Sequence, residues 1–252
     1  MSERTWTIRP VHVGTLHRKR LQFLYGSSDT TPLDVPVIMY VLESGGERVL
    51  VDTGCADPRT AHADHHPFDR SEDQHPVEAL RSLGIPAESI SAVINTHLHW
   101  DHCSGNHLFP NARCYTQRAE LRYAAAPLPW NCRSYESYLI GGDPAWARIP
   151  FHVLEGDVFS LFDGIDVLAT PGHTPGSQSI LVRGSASRYV LAGDNVPLYD
   201  NWVDARGRWP YVPNANHYDL SAYAATLNRL KSLRAEVIPS HDIRVLERAV
   251  YK

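Results

Sequence analysis

His97-Leu98-His99-Trp100-Asp101-His102 places four metal-competent side chains within six consecutive residues. On an extended segment, positions i, i+2 and i+4 face the same way, so His97, His99 and Asp101 are expected on one side. His102 has the opposite parity and needs a turn, or the first turn of a helix, to join them. The Ser104-Gly105-Asn106 that follows is compatible with such a turn. Burying three imidazoles and a carboxylate without a cation would leave several polar groups in want of partners, which argues for metal binding. Three isolated groups downstream could complete a cage: His173 in Pro171-Gly-His-Thr-Pro-Gly176, Asp194 in Ala192-Gly-Asp-Asn195, and His241 in Pro239-Ser-His-Asp242. Imidazole with carboxylate suits a borderline divalent cation. Zinc is the expected ion, and manganese, iron or cobalt are compatible with the same set.

Outward from this stretch, short β-rich runs end at the candidate ligands. Val35–Leu42 and Arg48–Val51 read as a hairpin joined through Ser44-Gly-Gly46, and the second run stops at Asp52-Thr-Gly54. Ile90–Asn95 delivers the chain to His97, Ile165–Ala169 to His173, Tyr189–Ala192 to Asp194, and Glu236–Pro239 to His241. Helices fit between them. Pro76 opens one that stops at Gly84, Gln117–Ala126 is a second, and Asp219 caps a third over Leu220–Leu233. Strands interleaved with helices predict an α/β layered fold in a single domain over residues 1–252.

With 43% hydrophobic and 21% charged residues in 252, the chain can bury a substantial core. A net charge of −4 and the absence of a long basic stretch count against nucleic acid as a partner. Arg18-Lys19-Arg20, the densest basic run, reads as a solvated loop. No apolar stretch is long enough for a secretory signal or a membrane span, so a cytoplasmic protein without a membrane partner is expected. Cys55, Cys103, Cys114 and Cys132 lack C-x-x-C spacing and are expected as reduced thiols, with Cys103 a packing residue at the edge of the site. His62, His65, His66 and His75, among Asp57, Asp64 and Asp69, read as a solvent-exposed loop, one that could support a homodimer. Pro127–Pro150 and Asn195–Tyr218 look irregular and rich in tryptophan and tyrosine. They either line a pocket or plug the ends of the core.

Asp52-Thr-Gly54, Thr96-His-Leu-His-Trp-Asp-His102, Thr170-Pro-Gly-His-Thr-Pro-Gly176, Gly193-Asp194 and Ser240-His241-Asp242, in this order along nearly the whole chain, resemble the metallo-β-lactamase-fold hydrolases. Within them they resemble the quorum-quenching N-acyl homoserine lactonases. The resemblance implies an αββα sandwich with a two-metal site at one edge of its sheets. It implies His97, His99 and His173 as ligands of one ion, Asp101, His102 and His241 as ligands of the other, and Asp194 bridging both together with a hydroxide. Asp52 would support the ligand loop from behind. The implied reaction is attack of that hydroxide on a lactone carbonyl, with Asp101 shuttling the proton to the departing ring oxygen. Lactonases of this kind carry a tyrosine three residues after the bridging aspartate. Here Pro197 stands there and Tyr199 is the nearest tyrosine, a candidate catalytic helper or a pocket wall.

Other readings stay open on the same fold: hydrolysis of another small ester, lactone, thioester or β-lactam, or metal-dependent signalling without turnover. A helical substrate domain of the thioesterase kind finds no room after His241. Redox members of the superfamily are disfavoured by His99, where they normally carry glutamate.

Overall fold

From Val35 to Leu42 every residue is buried, which requires the strand carrying them to be covered on both faces. Alternate side chains serve different layers. Val35, Val37, Met39 and Val41 pack in one apolar cluster, while Ile38, Tyr40 and Leu42 pack in another. The same division recurs at Leu50 against Val49 and Val51, and at Val93 against Ala92 and Ile94. A period of two thus becomes a layer order.

The computed structural model describes residues 4–55, 57–59, 65–203, 207 and 209–252. One sheet contains β1 (Thr7–Lys19), β2 (Pro32–Ser44), β3 (Glu47–Val51), β4 (Phe68–Asp69), β5 (Ala92–Ile94), β6 (Arg113–Gln117) and β7 (Phe151–Leu154), in the order β4-β1-β2-β3-β5-β6-β7. The other contains β8 (Val158–Phe162), β9 (Ile165–Ala169), β10 (Gln178–Arg183), β11 (Arg188–Leu191) and β12 (Glu236–Ile238), in the order β12-β11-β10-β9-β8. Ile38, Val49, Ile94, Val167, Ile180 and Leu191 belong to the cluster shared by the two sheets. Each such fully buried aliphatic side chain contributes roughly 1.5–3 kcal/mol.

The outer layers are helical. Helix α1 (Pro76–Ser82) sets Ala79 and Leu80 against Met39, Leu50 and Val93 of the first sheet. The long helix near the C-terminus, Leu220–Ser232, sets Tyr223, Leu227 and Leu230 against Leu168, Leu181 and Val190 of the second. Asp219 caps it as expected, its carboxylate accepting from the N–H groups of Ser221 and Ala222. The αββα sandwich is therefore present, as a single domain.

Two expectations need correction. Strand β1 continues to Lys19, past a register shift between His12 and Thr15, so Arg18 lies in a sheet and not in a loop. Leu16 pairs with Val35 and Arg18 with Leu33, which turns both to one face, while His17 on the other face meets Asp34 and Asp69. In addition, the metal-competent run does not stay extended through Asp101. His99 is the last extended residue, and helix α2 (Trp100–Cys103) begins immediately after it. Asp101 therefore reaches the site from a helical turn, as His102 does. Among the described residues, no helix is long and apolar enough to cross a membrane.

Candidate metal centre

The ends of β3, β5, β9, β11 and β12 come together at one edge of the sandwich. Main-chain hydrogen bonds tie the loops leaving them: Gln178 N–H donates to Thr96 O at 2.8 Å, and Asp52 N–H donates to Ile94 O at 3.1 Å. Two glycines permit the approach. Gly193 holds φ at +54°, where a Cβ would lie 2.8 Å from the Thr96 Cβ. At Gly176 a Cβ would come 2.1 Å from the Glu120 nitrogen.

The structure brings all seven predicted ligand residues together. One ligand atom each of His97, His99 and His173 fall within 4.8 Å of one another, and the same holds for Asp101, His102 and His241. Asp194 faces both groups. Its Oδ1 lies 3.3 Å from His102 Nε2 and 3.1 Å from His241 Nε2, while its Oδ2 lies 3.6 Å from His173 Nε2. Asp101 Oδ2 stands 3.9 Å from both His102 Nε2 and His241 Nε2.

Tautomers follow from the groups behind the rings. His102 Nδ1 meets Asp52 Oδ2 at 2.8 Å, His241 Nδ1 meets the Pro36 carbonyl at 2.9 Å, and His173 Nδ1 meets the Asn216 carbonyl at 2.7 Å. Each partner only accepts, so each Nδ1 donates and each Nε2 turns its lone pair inward. His102 Nε2 and His241 Nε2 then face one another at 3.3 Å, and His173 Nε2 faces His99 Nδ1 at 3.1 Å. His97 Nε2 is buried and has no hydrogen-bond partner. Lone pairs converging on one another and on a carboxylate call for a cation between them. The donor set fits divalent metal ions.

Charges sort the same way. Burial, reinforced by neighbouring imidazoles, holds His97 and His99 well below the ordinary histidine pKa, and burial also lowers His173. Burial works against protonation of His102 too, but Asp194, Asp52 and Asp101 outweigh it and raise its pKa. At His241, Asp194 likewise outweighs burial. Burial opposes ionisation of Asp194 and Asp101, yet His241 and His102 keep both carboxyls below the usual range. Three rings are thus neutral and ready to ligate. Around the other two, the carboxylates favour positive charge at the place where a cation would sit.

Two buried carboxylates brace the loops. Asp52, with φ at +56°, accepts from Thr96 N–H at 2.8 Å and Thr96 Oγ1 at 2.7 Å besides holding His102. Glu120, on helix α3 (Arg118–Ala125), accepts from Leu98 N–H at 2.9 Å, Tyr135 Oη at 2.8 Å, Thr174 Oγ1 at 2.6 Å and Gly176 N–H at 3.2 Å. It thereby joins the His97–His99 stretch to the His173 loop. Nothing in the residue pattern singled out Glu120, because an acidic residue on an amphipathic helix ordinarily faces water.

Tyr199 is not brought to this site. It opens helix α4 (Tyr199–Trp202), and its ring packs against the core between the sheets, under the Arg244 guanidinium. The main chain forces this: Tyr199 N–H is held by Asp242 at 2.9 Å while His241 N–H is held by the Pro197 carbonyl at 2.9 Å. Tyr199 therefore does not replace the hydroxyl absent at Pro197.

A cavity of about 50 Å³ opens onto the ligands, walled by Arg18, Phe23, His66, Ser134, Asn214 and Asn216. Arg18, expected in solvent, is part of this wall; the parity it shares with buried Leu16 is the signal that could have found it. The histidine-rich loop also departs from expectation. The His65 side chain is only 3% exposed, stacks on Trp100 at 4.2 Å and 5°, and meets Glu136 at 3.2 Å. Burial, with Arg18 nearby, pulls His66 down to about 4. His62 and Asp64 lie outside the described residues.

Both expectations for the aromatic stretches hold in part. Tyr135 and Trp146 are buried beneath the metal loop, whereas Trp209 and Tyr211 line a larger recess of about 760 Å³ with Tyr25 and Leu24. All four cysteines are buried and free, and Cys103 packs with Leu98 and Tyr135 rather than joining the ligands.

Comparison with known proteins agrees with this geometry. The sequence profile of the Metallo-beta-lactamase superfamily matches residues 33–241. An N-acyl homoserine lactonase of Bacillus cereus is 33% identical over 236 residues, covering 86% of this chain and 86% of that protein. One from a Bacillus sp is 32% identical over 199 residues, covering 73% and 74% respectively. In fold, an N-acyl homoserine lactone hydrolase solved with N-hexanoyl-L-homoserine at its metal centre has a TM-score of 0.77 at 23% identity, covering 97% of this chain and 95% of that one. AidC, a dizinc quorum-quenching lactonase, has a TM-score of 0.71 at 17% identity, covering 96% and 90%. With a profile spanning most of the chain, close relatives along its length and the converging imidazoles described above, the protein belongs to the metallo-beta-lactamase superfamily of metal-dependent hydrolases.

Proposed function

We propose that this protein is a dinuclear-metal hydrolase that opens lactone rings, with N-acyl homoserine lactones as the substrate class its relatives point to. The observation that carries the dinuclear part is Asp194, whose two oxygens face two separate three-ligand groups. His97, His99 and His173 would hold one ion, Asp101, His102 and His241 the other, and Asp194 would lie between them. Zinc suits this set best. Bound there, divalent cations supply an acidified water at neutral pH and withdraw electrons from a carbonyl oxygen.

The chain's own residues do the rest. Asp52, Pro36 O and Asn216 O hold the His102, His241 and His173 rings in the tautomers that ligation requires. Asp101 stands 3.9 Å from the His102 and His241 nitrogens, which supports a role in which it would carry a proton from the attacking water to the ring oxygen that leaves. Ser240 Oγ donates to Asp194 Oδ1 at 2.7 Å and fixes that carboxylate's plane.

Pro197 in place of a tyrosine supports a second reading, in which the substrate is another small lactone or ester that does not need a phenolic donor. One panel separates the two: short- and long-chain N-acyl homoserine lactones, simple γ-lactones, aryl esters, thioesters and a β-lactam, each followed by acid release or absorbance. The lactonase reading expects the homoserine lactones to give the highest kcat/KM, chelation to abolish turnover, and zinc, cobalt or manganese to restore it. Full activity in rigorously metal-free protein would overturn it.

A further inference from the structure

Arg18 is a cation without a hydrogen-bond partner among the described residues. Its Nε is fully shielded from solvent without a hydrogen-bond partner, and the guanidinium has no hydrogen bond or ion pair with any described residue. Its guanidinium lies over the face of Phe23, 5.7 Å from the ring centroid, and is attracted by Asp101 and Asp194 without a hydrogen bond to either; Phe23 in turn lies 6.3 Å from the His241 ring. Two basic neighbours, by contrast, are paired. His17 bonds Asp34 and Asp69, and Arg20 bonds Asp200. A buried guanidinium is costly unless an acceptor reaches it, so an acceptor from outside the chain is the natural complement.

The same cavity wall carries Arg18, Asp101, Asp194, His66 and His241. The carboxylates of Asp101 and Asp194 cannot neutralise a pair of divalent cations, and Arg18 adds further positive charge on the Asp101–His241 side. We propose that Arg18 is a specificity-determining residue that receives a carboxylate of the substrate, so that the preferred class is a lactone or ester bearing a carboxylate on its alcohol side. Its planar fork suits two parallel hydrogen bonds to such a group, and Phe23 keeps the fork from swinging away. This inference rests on the second reading given above, a metal hydrolase of a small lactone or ester other than an N-acyl homoserine lactone.

The test compares γ-butyrolactone γ-carboxylate with its methyl ester in wild type, Arg18→Met and Arg18→Lys, each at measured metal content. Wild type should favour the carboxylate in kcat/KM by on the order of tenfold or more, the size of a charge-assisted hydrogen bond. Arg18→Met should erase that ratio, chiefly through KM, and Arg18→Lys should restore part of it. A readout without turnover runs in parallel: calorimetric binding of a cyclopentanone carboxylate, which keeps the carbonyl but has no ester to cleave. It should weaken by about tenfold or more in Arg18→Met at equal metal content. A wild-type ratio near one, or unchanged binding of the ketone in Arg18→Met, would overturn the assignment. Should neither lactone be opened, the calorimetry alone decides Arg18, and the homoserine lactones of the panel decide the lactonase reading. If Arg18→Met does not fold, Arg18→Lys decides by the same ratio, because an ammonium keeps the charge but loses the fork.

Discussion

Replacing Glu120 by glutamine tests how the two ligand loops are held. The carboxylate accepts four hydrogen bonds, two on each oxygen: Leu98 N–H and Tyr135 Oη on Oε1, Thr174 Oγ1 and Gly176 N–H on Oε2. An amide presents one oxygen and one NH2. In one orientation the NH2 faces Gly176 N–H, and in the other it faces Leu98 N–H. The hydroxyls can rotate to accept, but a main-chain N–H cannot. Either orientation therefore strands one buried N–H, at about 1–3 kcal/mol. Alanine strands both, which predicts a loss of about 2–6 kcal/mol, a large part of the 5–15 kcal/mol typical of a domain. Because Leu98 lies between His97 and His99 and Thr174 follows His173, the same lesion should loosen that group, lowering its metal affinity by roughly 10–100-fold. The Asp101, His102 and His241 group makes no contact with Glu120 and should keep more of its affinity. Urea unfolding of the metal-free protein gives the first quantity, and zinc titration by calorimetry gives the second. Glu120→Gln with wild-type stability and wild-type zinc affinity would refute the reasoning.

Asp101→Asn should retain much of the metal yet lose about 10²–10⁴-fold in turnover with the best substrate of the panel, and near-normal rates would remove Asp101 from the proton path. Gly193→Ala must adopt φ of +54° and press its Cβ to 2.8 Å from Thr96, so a melting experiment should show a loss of about 1–3 kcal/mol, with weaker zinc binding through the displaced Asp194. His17 has a raised pKa because hydrogen bonds to Asp34 and Asp69 favour its charged form. Its contribution is therefore complete below the unfolded value of 6.5 and fades as pH rises through the higher folded value. Since all three groups are largely exposed, His17→Asn should cost at most roughly 1 kcal/mol near pH 5.5 and close to nothing near pH 9, as chemical unfolding at the two pH values will show. An equal cost at both would show that packing, not charge, is what the side chain provides.

Much of the centre was legible in the chain because its signals are local. His97 to His102 lie within one loop, and the strands that deliver His173, Asp194 and His241 are marked by apolar runs that stop at glycine or proline. The αββα order, too, is written in the alternation of Met39 with Ile38 and Tyr40, since side-chain direction along a strand is set by the backbone. What the chain alone left open depends on residues far apart in number. Asp194 splits its oxygens between two ligand groups only because β11 ends between β12 and the loop after β9. Tyr199 turns into the core because Asp242 and Pro197 pin the main chain on either side of it. Arg18 faces the cavity because a register shift in β1 sets which side of the sheet it occupies. Residue type and spacing fix which groups can bind a cation; only the packing of the two sheets decides which atoms meet, because those distances arise from contacts that no local pattern records.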